Sequence, residues 1–215
     1  MIQENIRAIR TEIGVAGLVV VSKYRTLDEM MEVYNSGERI FAENRVQELI
    51  RKRQELPSDV EWHLVGHLQT NKVKQVLPIV SLIHSVDTVK LLNTIDKEAT
   101  KLNIQTKVLL QVHVAEEETK HGFEPNVLLS LAKSMAFANY QSIEFFGLMT
   151  MSTLSATSEQ VRSEFNQTRE LMSAIKPHMP KPDIFTELSM GMSGDYGIAL
   201  EEGSTLVRIG SAIFS

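Results

Sequence analysis

The sequence predicts an α/β fold, a single (β/α)8 barrel of the TIM type spanning residues 1–215. Three observations carry this expectation. Eight short runs rich in Val, Ile, Leu and Phe recur along the chain. Segments of helical periodicity lie between them, an alternation that builds a parallel sheet covered by helices. The length of 215 residues suits one closed barrel near the compact end of its size range. A doubly wound open sheet satisfies the same alternation and is the structural alternative.

The elements follow in order. MIQENIRAIRTEIG is an amphipathic helical start, with charged and apolar residues on opposite faces. Strands are expected at GLVVVS (17–22), RIFAE (39–43), WHLVG (62–66) and LIHSV (82–86). Four more are expected at KVLLQV (107–112), FFGLMT (145–150), DIFTELS (183–189) and LVRIGSAIF (206–214). In TLDEMMEVYNSG the residues Leu27, Met30, Met31 and Tyr34 share a helix face, and Gly37 supplies a stop. Val89, Leu92, Ile95 and Ala99 repeat the pattern between residues 88 and 102. A further stripe of Val161, Phe165, Leu171, Met172 and Ile175 stands against a charged face. MSTLSATS (151–158) reads as a polar loop, and no linker or repeat divides the chain.

Composition excludes several function classes. The net charge of −5 argues against a nucleic-acid partner, which requires a basic surface. The absence of cysteine rules out disulfides, thiolate catalysis and Cys-ligated zinc or iron–sulfur centres. The start lacks the apolar core of a signal peptide, and no apolar run reaches the length of a membrane span. The expected location is the cytoplasm, with no membrane partner.

In a barrel, reactive groups gather where the strands end. Lys23 leaves the first apolar run; alone, such a lysine is more often a solvated surface group. Held at a dry barrel mouth, its ammonium would be destabilised and its free amine could attack an aldehyde. LSMGMSGDYGIALEEG offers Gly191 and Gly194 for tight turns, with a helix expected directly after Ser193. That makes it a phosphate seat or an ordinary capped loop. Gly210 and Ser211 in RIGSAIF are a second phosphate candidate, and barrel phosphate sites commonly use the loops after strands seven and eight. Arg208, within the last apolar run, needs an acceptor if it points inward: Glu187, Glu43 or a ligand. His63 and His67 have the spacing of a helical metal pair, but a strand separates such side chains, so no metal site is expected. EEETK (116–120) reads as a solvated loop, and no Walker-type loop or dinucleotide fingerprint is present.

These segments also carry a resemblance. VVVSK (19–23), FAENRVQE (41–48), EWHLVGHLQTNK (61–72), HSVD (84–87), EETKHGF (117–123), GLMTM (147–151), LSMGMSGD (188–195) and VRIGSAIF (207–214) occur in this order. In them the chain resembles the pyridoxal phosphate homeostasis proteins over essentially its whole length. The resemblance implies a fold type III pyridoxal phosphate-binding barrel, similar to the N-terminal domain of alanine racemase. It further implies pyridoxal 5′-phosphate held as a Schiff base on Lys23, with its phosphate around Ser189, Gly210 and Ser211. By the same likeness Arg208 meets the pyridine nitrogen and Asn44 lies beside the cofactor. An arginine there donates and leaves the ring nitrogen unprotonated, which weakens its electron-sink character. Ala42 stands where glycine is more common, Ser211 replaces threonine, and His121 occupies a variable position.

Two functions lead, ahead of a blander third, a phosphate-binding barrel with an unrelated sugar-phosphate substrate. The first is a cofactor-binding module without catalytic activity that stores, buffers or delivers pyridoxal phosphate, with apo pyridoxal phosphate enzymes as recipients. The second is a fold type III amino-acid racemase-like enzyme. The last expected strand ends at Phe214 and the chain at Ser215, so no second domain is expected to supply an opposing acid–base residue. That favours the binding module and a monomer.

Overall fold

The computed structural model describes residues 1–115 and 121–215, and in it the expected barrel closes. Its strands are β1 (Gly17–Val21), β2 (Ile40–Glu43), β3 (Glu61–Leu64) and β4 (Leu82–Val86). They continue as β5 (Thr106–Gln111), β6 (Ile143–Met149), β7 (Glu187–Ser189) and β8 (Leu206–Ile209). Every neighbouring pair is parallel, and β8 returns to β1 in register from Gly17–Leu206 to Val20–Ile209. The open-sheet alternative is therefore excluded. The solvated-loop expectation for residues 116–120 lies outside the described residues.

The outer layer comprises α1 (Ile2–Ile13), α2 (Leu27–Asn35), α3 (Val46–Arg53), α4 (Val73–Val76) and α5 (Val89–Leu102). It is completed by α6 (Pro125–Lys133), α7 (Ser158–Ile175), α8 (Tyr196–Glu201) and α9 (Ser211–Phe214). Helix α2 starts at a capping box: Thr26 accepts from the Glu29 N–H while the Glu29 carboxylate accepts from the Thr26 N–H. Helix α5 begins at Thr88, whose hydroxyl accepts from the Leu91 N–H, and ends at Asn103 in the left-handed conformation. No helix among the described residues is long and apolar enough to cross a membrane.

Two expected strands are shorter than their apolar runs. The seventh begins at Glu187 because Pro182, which has no N–H for a ladder, opens a single 3-10 turn over 182–184. The eighth stops at Ile209, and SAIF turns into α9 with Ile213 and Phe214 buried. Adjacent apolar residues share a face on a helix turn but point to opposite sides of a strand. Helix α9 packs against α1, where the Asn5 side-chain amide donates to the Ile213 and Ser215 carbonyls.

The barrel interior is partly polar. Leu82 and His84 share one face of β4, ahead of the register shift that separates Ile83 from Val86. His84 reaches across to Ser189 on β7 at 2.9 Å and to His63 on β3 at 3.0 Å, so that face points inward. Arg208 is always a donor, and its guanidinium donates to Ser189 Oγ at 2.7 Å. The same hydroxyl is hydrogen-bonded to His84 Nδ1, and His84 Nε2 to His63 Nδ1. Both rings are neutral, because burial disfavours their charged forms. Burial, reinforced by Lys107, lowers His63 to about 4. Burial, with His63 and Arg208 adding to it, holds His84 well below the usual imidazole range.

This chain predicts a stability that depends on pH. Unfolded histidines take up protons below about pH 6.5, whereas these two stay neutral until the pH is far lower. Folding free energy is therefore lost as pH falls below about 6.5, by about 1.4 kcal/mol per pH unit for each histidine. Urea unfolding at a series of pH values should show this slope, and His63→Gln should remove about half of the two-histidine contribution.

Candidate functional site

The strand ends open on two adjoining cavities at the C-terminal mouth. The smaller, about 430 Å³, is lined by Val21, Lys23, Tyr24, Arg25, Met192, Ser193, Gly194, Arg208, Gly210 and Ser211. The larger, about 740 Å³, shares Lys23, Tyr24 and Arg25 and adds Glu43, Asn44, Arg45, Lys52, Gly66 and His67 among others. Lys23 stands between them. Its side chain is exposed, so the dry mouth expected from sequence is replaced by an open, solvated one. Tyr24, directly after it, adopts φ 64° and is exposed. A non-glycine residue in the left-handed region stores strain, and such strain collects at functional turns.

The backbone beneath Lys23 is fixed from below. Lys52 of α3 and Glu43 of β2 are each 1% exposed, with Nζ and Oε1 at 2.6 Å. Lys52 Nζ also donates to the Ser22 carbonyl at 2.7 Å, and the Ser22 hydroxyl donates to Glu43 Oε1 at 2.7 Å. The Ser22 N–H donates to the Ala42 carbonyl. Ser22 is therefore held at its N–H, carbonyl and hydroxyl, and the lysine that follows projects from a rigid base. The sequence reading missed Lys52. The available signal was its position on the apolar stripe of α3, with Val46 and Leu49 at three-residue spacing.

Arg208 is 4% exposed and donates to the Ser189 carbonyl at 2.6 Å, to Ser189 Oγ, and to the Thr150 carbonyl at 2.8 Å. Neither Glu43 nor Glu187 pairs with it: Glu43 holds Lys52, and Glu187 accepts from the Thr205 hydroxyl. Among the described residues no carboxylate lies within ion-pair distance. Burial lowers its pKa to about 10, partly opposed by Asp195, so it remains cationic at neutral pH. Three of its five N–H donors are used, leaving capacity on the cavity side.

The two stretches expected to seat phosphate converge on the smaller cavity. Ser193 and Gly194 face Gly210 and Ser211 across it, and Ser193 Oγ accepts from the Ala212 N–H at 3.3 Å. Among the described residues, the N–H groups of Ser193, Gly194 and Ser211 meet no acceptor. Gly191, at φ 87°, makes the preceding turn; a Cβ there would lie 2.7 Å from the Ala199 side chain. Helix α8 begins at Tyr196, not directly after Ser193, because Asp195 occupies the cap position and accepts from the Met192 N–H and Ser152 Oγ.

The remaining sequence candidates lie farther out or deeper. Ser189 is fully buried below the cavity, and its hydroxyl is engaged by Arg208 and His84. The serine of that motif on the cavity wall is Ser193. Asn44 lines the larger cavity, and its backbone packs so tightly on Gly66 that a Cβ there would sit 2.1 Å from the Asn44 carbonyl oxygen. His63 points into the barrel and His67 out at the mouth, so the two histidines do not meet.

Comparison with known proteins assigns this architecture. The family model described as alanine racemase, N-terminal domain, matches residues 1–215. A pyridoxal phosphate homeostasis protein of Aquifex aeolicus is 41% identical over 200 residues, covering 93% of this chain and 86% of that protein. The chain belongs to this family. Among solved structures it is similar to PipY of Synechococcus elongatus, at 34% identity and TM-score 0.93 without PLP. The same protein with PLP bound gives 33% identity and TM-score 0.90, and both matches cover 100% of each chain. Alanine racemase from Bartonella henselae, at 17% identity and TM-score 0.74, shares the fold over 99% of this chain and 58% of its own. The family resemblance read from the VSK, LSMGMSGD and VRIG segments thus stands.

The ion pair beneath Lys23 yields a prediction. Lys52→Met leaves Glu43 buried and unpaired and should lower unfolding free energy by about 3–5 kcal/mol. The double variant Glu43→Gln/Lys52→Met should recover a large part of that loss, as read by chemical denaturation in a double-mutant cycle.

Proposed function

We propose that this chain binds pyridoxal 5′-phosphate, with Lys23 as the amine that holds its aldehyde, and maintains the available pool of that cofactor by storage, buffering or delivery. One observation carries the reading: Lys23, three backbone N–H groups without acceptors and a buried arginine without a carboxylate partner line a single cavity. Close relatives are named pyridoxal phosphate homeostasis proteins, and PipY is described with PLP bound. When bound, pyridoxal phosphate supplies an aldehyde carbon, a phosphate dianion and a pyridine nitrogen. The residues present fit those three features.

The Ser193, Gly194 and Ser211 N–H groups would donate to phosphate oxygens, joined by the Ser211 hydroxyl and by Gly210, which keeps the wall low. Arg208 would offer its remaining N–H groups to the pyridine nitrogen and, as a permanent donor, would keep that atom unprotonated. Lys23, on the rigid base of Ser22, stands at the cavity boundary, and Asn44 lines the adjoining larger cavity on its other side. Ser189 acts through Arg208, orienting the guanidinium. Exposure of Lys23 suits exchange with solvent and with apo pyridoxal phosphate enzymes as recipients, the role of a cytoplasmic carrier with no nucleic-acid or membrane partner. Relatives at 35–41% identity carry the name of homeostasis and not of a reaction, so the reading is of a binding protein and not a catalyst.

Addition of pyridoxal phosphate should produce visible absorbance, and borohydride should fix the cofactor on Lys23 in peptide mapping. An adduct on another lysine overturns the assignment. Lys23→Ala should abolish the absorbance, and the loaded protein should reactivate an apo-enzyme in a coupled assay. Ser211→Ala should weaken cofactor affinity about tenfold, equivalent to about 1.4 kcal/mol. Ser189→Ala should instead cost about 1–3 kcal/mol of folding stability, because it leaves buried donors unpaired.

A further inference from the structure

A cluster at the barrel mouth has a different chemistry. His67 follows β3, Asp87 follows β4, and His121 lies between β5 and α6. The Asp87 carboxylate is 3% exposed, whereas the two imidazoles are 43% and 57% exposed. His67 Nδ1 lies 2.9 Å from Asp87 Oδ2, and His121 Nδ1 lies 3.5 Å from the same oxygen. The rings stack with centroids 4.0 Å apart and an interplanar angle of 17°. Each residue offers one donor atom, and no two of these atoms are farther apart than 4.8 Å.

We propose that His67, Asp87 and His121 form a site for one divalent transition-metal ion of the zinc class. A tetrahedral zinc with bonds of about 2.0–2.2 Å sets its donor atoms about 3.3 Å apart, and the two nitrogen–oxygen separations bracket that value. Both imidazoles converge on one carboxylate oxygen, although Asp87 has two and could have taken one histidine on each. Exposure lets the two rings adjust by side-chain rotation alone. Two nitrogen donors with a single carboxylate favour a borderline metal over calcium or magnesium, which prefer oxygen. Three protein ligands leave a fourth position for water or an anion, and His67 lines the larger cavity that Lys23 also reaches.

The backbone of the cluster is built to hold it. Ser85 Oγ donates to the Gly66 carbonyl at 2.6 Å, pinning the residue before His67. The buried Gln111 amide donates to the His121 carbonyl at 2.7 Å. Gly122 follows at φ 145°, where a Cβ would lie 2.6 Å from the His113 nitrogen, so the chain can pass this close only with glycine. The proposal rests on these three ligands and stands apart from the cofactor reading.

Full-length protein, stripped with a chelator, should bind one equivalent of Zn²⁺ in calorimetry, and Co²⁺ should give the intense visible bands of a tetrahedral site. Ca²⁺ and Mg²⁺ should give no saturable signal. His67→Ala and His121→Ala should each weaken Zn²⁺ binding at least about tenfold while far-ultraviolet circular dichroism stays unchanged. His178→Ala, at a histidine outside the cluster, should bind as the parent does. Absence of saturable Zn²⁺ binding overturns the proposal. So does unchanged affinity in the His67→Ala/His121→Ala double variant, which would move the ion elsewhere. Metal titration of Lys23→Ala separates the two readings, since the metal site predicts full Zn²⁺ binding there.

Discussion

The hydrogen-bonded seam between β1 and β8 joins the two ends of the chain, and the lysine cavity depends on it. Lys23 follows the first strand and Gly210 and Ser211 follow the last, so they become neighbours only when the barrel closes. Gly17 is small enough for the seam: a Cβ there would come within 2.6 Å of the Leu206 side chain. Closure also leaves no free edge, so every strand has two partners and the strand ends form one continuous rim. Both cavities open on that rim.

Two buried cations show how burial separates structure from function. Lys52 and Arg208 are each almost fully enclosed, and each carries a charge that is costly to remove from water. Lys52 meets a carboxylate and the Ser22 carbonyl, so its requirements are met inside the protein. Among the described residues Arg208 meets carbonyl and hydroxyl oxygens only, and it borders a cavity. The first stiffens the base of Lys23, while the second leaves hydrogen-bonding capacity for something that enters. The neutral histidines beneath Arg208 complete its setting, because a second charge there would repel the guanidinium.

Much of the fold was legible because parallel strands buried on both faces read as continuous apolar runs. LIHSV is such a run, buried along its whole length even with a histidine and a serine inside it. Boundaries were less legible: the apolar run ending in SAIF serves a strand and then a helix turn, and only packing on α1 distinguishes them. Lys23, Arg208, Gly210 and Ser211 were found by their positions at strand ends and all border one cavity. Ser189 and Ser193 could not be ranked from sequence, since only four positions separate a buried hydroxyl on β7 from a half-buried one in the turn beyond it. The inward hydroxyl serves Arg208, and the outward one faces the cavity.

The sequence by itself determined the alternation of elements, the exclusion of cysteine chemistry and the family to which the chain belongs, because these reside in local pattern and residue identity. Tertiary structure decided which distant residues meet. His67 left its sequence neighbour His63 for Asp87 and His121, as successive strand positions point apart while separate strand ends converge. Lys52 found Glu43 across a helix and a strand, and Arg208 found no acid among the described residues. The lysine at the end of the first strand also changed character: the barrel mouth holds its backbone rigidly yet leaves its side chain in water, a result of cavity shape that no run of residues encodes.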